Sequence, residues 1–388
     1  MKIVLFDDEL RGHLLPLTFT RPVAEIRVGI LTIAEKWATR LNTTVSYKTV
    51  DYLQAKFPCV LDESTIFING ACLPTESLVE IIKDLPQQHT LVTDTGRIVA
   101  SRVKSFEDIN DNTQEVQAQF INYPEDIFSL NGQELESDFA LITKGRSSVS
   151  LSKTNTVIGN GHIFLEEGAK VEGAILNATS GPIYVGKNAE IMEGSIVRGS
   201  LALCESAVLK MGAKVYGPTT VGPYSKVGGE VNNSVLFGFS NKGHDGFLGN
   251  SVIGEWCNLG ADTNNSNLKN NYAEVKLWSY VDKRFRKTGT QFCGLIMGDH
   301  SKCGINTMFN TGTVIGISAN IFGSGFPRNY VPSFAWGGSA GYTTYQVPKA
   351  FETASLVMER RQKELDDIEK SILEHVFNLS QEDRFWEK

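Results

Sequence analysis

The sequence predicts two unlike halves: an α/β domain with a Rossmann-like sheet, then an all-β coil with three flat sides. Three observations carry this. An aliphatic column recurs every six positions through the second half, a column of small residues runs two positions ahead of it, and strand-like and helix-like segments alternate in the first 145 residues.

The aliphatic column is read by stepping from Val185 through Ile191, Val197, Leu203, Leu209, Val215, Val221 and Val227. Eight apolar residues in one frame, in a chain that is 41% hydrophobic, arise by chance on the order of one time in a thousand per starting frame. Two positions ahead stand Ala189, Ser195, Leu201, Ala207, Ala213, Thr219 and Ser225, all small except Leu201. The six-residue step returns after interruptions: Val157, Ile163, Ala169 and Ile175 precede the run, and Phe247, Ile253 and Leu259 follow it. A last run reads Met297, Cys303, Phe309, Ile315, Ile321. Helices repeat near 3.6 and strands at 2, so neither alone gives a six-residue column. A prism does: each hexad makes one flat side, the aliphatic points inward, and the small residue fits the corner. Parallel strands of successive coils then bury one another.

The coil is expected over 146–345. Residues 264–290 leave the phase and carry Lys269, Lys276, Lys283, Arg284, Arg286 and Lys287, which suits a projecting loop. Both a solvated surface and a phosphate-binding surface fit its charge. Residues 346–388 are expected to be helical. One amphipathic helix over about 350–378 is read from Leu356, Ile368, Ile372 and Val376, with Pro348 at its start.

In the first half, Ile3–Phe6, Thr65–Asn69 and Thr90–Thr93 read as strands, and Gly29–Leu41 and Glu76–Leu85 as helices. The alternation predicts a largely parallel sheet. The boundary falls in 130–155, where Asn131-Gly132 and Lys144–Ser150 are polar and turn-rich.

Composition excludes several classes. The 388 residues carry a net charge of −7, with no basic bias for nucleic acid. The apolar run after Lys2 stops at Asp7, Asp8 and Glu9, unlike a secretory signal, and no stretch approaches the roughly 20 apolar residues that span a bilayer. Six scattered cysteines without a CxxC pair suit reduced thiols in the cytoplasm. His13, His89, His162, His300 and His375 show no zinc-ligand spacing, so no metal is expected in the coil.

The hexad pattern resembles the left-handed parallel β-helix of hexapeptide-repeat proteins, whose winding departs from the usual right-handed crossover. Within it, Gly238-Phe-Ser-Asn-Lys242-Gly-His244-Asp-Gly-Phe247-Leu-Gly249, then Asn258-Leu-Gly-Ala-Asp262-Thr263, then Ser266-Asn267, resembles the acetyltransferase half of the bifunctional N-acetylglucosamine-1-phosphate uridyltransferase / glucosamine-1-phosphate N-acetyltransferase family. The resemblance covers most of 155–325 as repeats and about thirty residues as specific motif. It implies acetyl-CoA as donor and His244 as catalytic base, with Asn258, Asn267, Lys242 and Phe247 contacting substrate. Phe247 stands for a tyrosine, Asp262 for a glycine and Leu268 for a second tyrosine, implying a reshaped acceptor pocket. An imidazole with a pKa near 6.5 suits proton removal from an attacking amine. The competing reading of His244 is an ordinary surface-turn histidine.

Leu14-Leu-Pro16-Leu-Thr18-Phe-Thr-Arg21-Pro22 resembles the segment after the phosphate loop of sugar-1-phosphate nucleotidyltransferases. The loop itself reads Glu9-Leu10-Arg11-Gly12-His13, with one glycine, so Arg11 and Arg21 take over the phosphate charge. Phe67-Ile-Asn69-Gly70-Ala71 resembles the family's strand end, with Ala71 where an aspartate binds magnesium. Nucleotide binding is thus expected at Arg11, Thr18, Arg21, Asn69 and Gly70. Asp7, Asp8 or Asp94 could replace the missing carboxylate if the domain uses magnesium; an inactive, stabilising domain is the alternative.

The function expected is acetyl transfer from acetyl-CoA to an amino-sugar-1-phosphate in cell-envelope precursor synthesis, with linked nucleotidyl transfer in a cytoplasmic homotrimer. Two alternatives stand beside it: a sugar-1-phosphate nucleotidyltransferase whose coil is an oligomerisation scaffold, and a non-catalytic nucleotide-sugar-binding protein.

Overall fold

The computed structural model describes residues 2–109, 112–160 and 162–387. The chain forms two compact units, one of Met1–Leu14, Thr20–Ile26 and Leu31–Tyr123, the other of Leu15–Phe19, Arg27–Ile30 and Pro124–Lys388.

The first unit is built on a six-stranded mixed sheet. Its strands are β1 (Ile3–Phe6), β2 (Val45–Lys48), β3 (Ile66–Asn69), β5 (His89–Val92), β6 (Ile98–Arg102) and β7 (Thr113–Glu115), in the order β2-β1-β3-β6-β5-β7; β4 (Cys72–Leu73) pairs with β8 (Gln119–Phe120) apart from it. β1 runs parallel to β2 and β3, and β5 to β7, while β6 is antiparallel to both its neighbours. β1 and β3 are buried throughout, as their continuous apolar runs require. The first helix, α1 (Ile33–Leu41), starts later than Gly29: Thr32 caps it in a reciprocal pair with Glu35. α2 is Glu76–Lys83.

The second unit is a three-faced parallel β-helix. Its faces are sheets of nine, ten and six strands, the third prolonged by Asn264–Asn265 paired with Met308–Phe309. Val185 lies beside Leu203 and Leu203 beside Val221, one coil of three hexads apart. The column from Val185 to Val227 is at most 1% exposed, and the small residues ahead of it are fully buried. At either end of that run the phase slips, while Ile253, Leu259, Met297, Cys303, Phe309, Ile315 and Ile321 lie in the prism core as expected. Upstream, the coil is two to three residues longer: Leu165 pairs with Val185 and Leu176 with Val197, so Leu165, Val171 and Leu176 face inward in place of Ile163, Ala169 and Ile175. Downstream, the coil is three residues shorter: Val221 pairs with Leu236 and Val227 with Lys242. Leu248, not Phe247, then takes the inward place beside Val231.

Corners between the first and second faces hold Tyr224, Phe239, Trp256 and His300 in left-handed conformation. Their rings stack in sequence, at 5.1, 4.2 and 6.3 Å, so contact between successive rings accompanies the unfavourable φ.

Asn131-Gly132 is not a turn. It lies inside α3 (Pro124–Thr143), which the expected boundary at 145 assigns to the first domain but which belongs to the second unit. α3 packs against Thr219–Val221, Val235–Gly238 and Val252–Glu255 on the first face. Gly132 is explained by close approach: a Cβ there would come 2.8 Å from Pro218 Cγ. Fully buried Asn131 accepts from the Gly29 N–H at 2.7 Å and the Thr220 hydroxyl at 3.0 Å, and donates to the Pro218 carbonyl at 3.0 Å.

The basic insertion is a β-hairpin, Lys276–Ser279 against Arg284–Lys287. Arg286 anchors it to α3 by a bidentate pair with Glu125, at 2.6 and 2.5 Å. The C-terminal segment is two helices and not one: α4 (Val347–Glu359) and α5 (Asp367–Leu379). Gln362, at φ 56°, breaks the run, and Asp366 caps the second helix on the Glu369 N–H.

Candidate functional site

His244 lies on the corner after the second face, between Asn241–Lys242 and Phe247–Gly249. Glycines make this corner possible. Gly246 has φ +116°, and a Cβ on it would sit 2.2 Å from the Thr263 carbonyl oxygen. Gly229, one coil earlier with φ +72°, would place its Cβ 2.9 Å from the His244 carbonyl oxygen. Backbone bonds tie the corner to its neighbours, from Gly228 N–H to Lys242 O at 2.7 Å and from Asp262 N–H to Asp245 O at 3.0 Å. Gly246→Ala is therefore expected to cost about 1–3 kcal/mol, read as a lowered melting temperature. An unchanged transition would contradict the crowding.

The imidazole of His244 is exposed and has no hydrogen-bond partner among the described residues. Asp245 and Asp262 are exposed carboxylates on the same and the next coil's corner. Lys242 is a correction: the sequence reading gave it to substrate, but it takes an inward place in the aliphatic column and is 2% exposed. Its ammonium donates to the His244 carbonyl oxygen at 2.5 Å. Burial pulls its pKa from 10.5 down to about 8, against the attraction of Asp245, Asp262 and Cys303. Lys242 thus holds the corner from inside the prism.

The other predicted contacts spread out. Asn258 projects outward on the second face, in register with Asn241. That register position is on the face, whereas His244 is on the corner that follows it. Asn267 follows the third face and donates to the Asn250 side chain at 2.8 Å. It therefore belongs to a different corner from His244. Phe247 is half-buried on the outside of the third face, and its N–H donates to Asn264 Oδ1 at 2.8 Å.

In the first unit, Asn69 and Asp8 come together at the ends of β3 and β1. Asn69, 1% exposed, donates to Asp8 Oδ2 at 2.8 Å and accepts from the Ala71 N–H at 3.0 Å. Arg97 Nε meets the same Asp8 oxygen at 2.8 Å. Sequence reasoning missed Arg97, since nothing local marks a partner 89 positions away. Gly70 is tight, its N–H donating to the Phe6 carbonyl at 2.7 Å. Arg11 meets Asp7 at 3.1 Å and donates to the Tyr52 hydroxyl at 3.3 Å. Burial raises the Asp7 carboxyl despite Arg11, Thr49 and the Val23 N–H. Arg21 and Thr18 are buried, and Thr18 belongs with the second unit.

A magnesium ion held by the protein alone does not fit these residues. Asp8 is already charge-paired with Arg97, the Ala71 side chain offers no ligand atom and its carbonyl accepts from the Ile121 N–H, and no three His, Cys, Asp or Glu side chains cluster among the described residues. Among them, too, no helix is long and apolar enough to cross a membrane.

Residues 3–147 match the family model for sugar nucleotidyl transferase. The chain is 33% identical over 160 residues to a bifunctional sugar-1-phosphate nucleotidylyltransferase/acetyltransferase of Sulfurisphaera tokodaii, across 41% of this chain and 37% of that protein. It is 34% identical over 87 residues to the bifunctional protein GlmU of Methanocaldococcus jannaschii, across 22% of this chain and 21% of that one. A solved structure of LpxA, a UDP-N-acetylglucosamine acyltransferase from Bacteroides fragilis, aligns over 61% of this chain and 84% of its own, at 12% identity and a TM-score of 0.29. The chain spans from 21% to 37% of the length of these two curated relatives. Residues 3–147 are thus similar to sugar nucleotidyl transferases, in a chain similar over 160 residues to a bifunctional sugar-1-phosphate nucleotidylyltransferase/acetyltransferase.

Proposed function

We propose that this protein transfers acetyl from acetyl-CoA to the amine of an amino-sugar-1-phosphate, with glucosamine-1-phosphate the acceptor to test first. Residues 3–147 would form or bind the corresponding nucleotide sugar. The observation that supports acetyl transfer is His244 itself: an exposed imidazole on a glycine-built corner, anchored from within by Lys242. His244 takes a proton from the acceptor nitrogen as that nitrogen attacks the thioester carbonyl. The tetrahedral intermediate then collapses and expels the CoA thiolate. Asp245 and Asp262 put exposed carboxylates on the same and the next coil's corner, a charge that favours an amine-bearing acceptor.

His244 and Asn267 occupy different corners of one prism. A homotrimer, in which a corner of one copy meets a side of the next, would give both a place beside one substrate. In residues 3–147 we assign Asn69, Gly70 and Asp8 to the nucleotide end, with Arg97 paired to Asp8. Arg11 and Arg21 are the candidate phosphate contacts.

The test is free-thiol release from acetyl-CoA with glucosamine-1-phosphate, run beside pyrophosphate release from UTP or dTTP with a sugar-1-phosphate. Sugar-dependent thiol release is the expected result. Pyrophosphate without any thiol would end the acetyl-transfer reading and leave the coil as a scaffold.

A further inference from the structure

We propose that the cavity between the basic hairpin and the C-terminal residues binds a nucleoside phosphate, a planar aromatic ring joined to phosphate. The cavity holds about 1290 Å³, ample for such a ligand, and lies entirely within the second unit. The hairpin supplies Lys276, Trp278 and Phe285; the end of the coil supplies Arg328 and Tyr330; the C-terminus supplies Phe385. None of these residues enters the acetyl-transfer site around His244.

Two properties of the walls select the ligand. The first is charge. Lys283 is spent on Asp383 at 2.8 Å, but Lys276 and Arg328 have no carboxylate partner among the described residues. Arg328 lies over the Phe385 ring at 4.5 Å, which fixes the guanidinium plane and leaves its donors for an anion. The second is aromatic surface. Trp278 stacks on Tyr330 with ring centres 4.3 Å apart and meets Phe285 edge-on at 5.4 Å. Phe285 and Phe385 remain 42% and 38% exposed beside these cations. Exposed rings cost free energy unless something covers them. A flat base would cover them, and its phosphates would meet Lys276 and Arg328. A bare inorganic anion would use only the charges, and a purely apolar ligand would leave two cations facing it unpaired. Glu382 offers an acceptor for sugar hydroxyls. The insertion that breaks the hexad phase is thereby given a role.

Free nucleotides and the nucleotide end of coenzyme A share this chemistry. The test is calorimetric titration of the full chain with ADP, UDP, coenzyme A and pyrophosphate, using wild type, Phe285→Ala and the double variant Lys276→Glu with Arg328→Glu. These positions are exposed, and melting temperatures near wild type confirm folding. A nucleotide-binding event weakened at least tenfold in both variants, with pyrophosphate far weaker, is the expected result. Within that result, coenzyme A binding much more tightly than ADP identifies the acyl donor, and equal affinity a free nucleotide. Isotherms unchanged by the substitutions, no nucleotide binding, or pyrophosphate binding as tightly as ADP would each overturn the proposal. Binding is read without turnover, and His244→Ala should retain it, so this result and the fate of the acetyl-transfer reading are separable.

Discussion

Replacing His244 by alanine is expected to lower kcat for acetyl transfer by about 10²–10⁴-fold, the usual contribution of a positioned general base. KM for acetyl-CoA should change little, because the imidazole acts on the proton that leaves as nitrogen attacks. Thermal stability should hold within a degree or two: the side chain is exposed and has no hydrogen-bond partner among the described residues, and the backbone bonds of the corner do not use it. Chemical rescue sharpens the result. Free imidazole added to the variant should restore part of the rate in proportion to its unprotonated fraction. Any pyrophosphate release by residues 3–147 should be the same in the variant as in wild type. A variant that keeps wild-type thiol release would reduce His244 to a surface-turn histidine.

The residues that were legible in advance share one property: their surroundings repeat. From Val185 to Val227 each coil is three full hexads, so a fixed step of six stays on the inward column. Where a coil lengthens before Val185 or shortens after Val221, the step of six has to restart in a new frame, and a restart at Phe247 misses the inward Leu248 by one residue. Glycines around His244 marked a special corner because close backbone approach admits no Cβ. Asn131-Gly132 looked the same and was not: the glycine serves contact between α3 and Pro218, not a change of direction. Pairing of Asp8 with Asn69 and Arg97 was out of reach, since it depends on sheet order rather than on any local pattern. A lysine beside a glycine reads as exposed, so the direction of Lys242 was concealed by the short coil that turns it inward.

That hidden lysine makes the second large prediction: Lys242→Met should produce a more stable but less active protein. The lysine sits among Val227, Leu259 and Cys303 where the repeat calls for an aliphatic, and it carries charge at neutral pH because its pKa falls only to about 8. In the unfolded chain its pKa is about 10.5. Below pH 8 both states hold the proton, and the folded one bears the full cost of a buried cation. Between 8 and 10.5 the unfolded chain still holds the proton while the folded chain has lost it, so wild-type stability rises through that interval. The gap corresponds to about 3 kcal/mol, an upper limit for what methionine recovers, and the hydrogen bond to the His244 carbonyl is lost in exchange. The melting temperature of the variant should therefore exceed wild type by several degrees at pH 7, and the two curves should converge toward pH 10. Turnover should fall tenfold or more at the same time, since nothing then holds the corner from inside. Retaining a charged residue in an apolar column is costly without a function to keep it there. If methionine destabilises the protein at every pH, or stabilises it with acetyl transfer intact, the corner does not depend on Lys242.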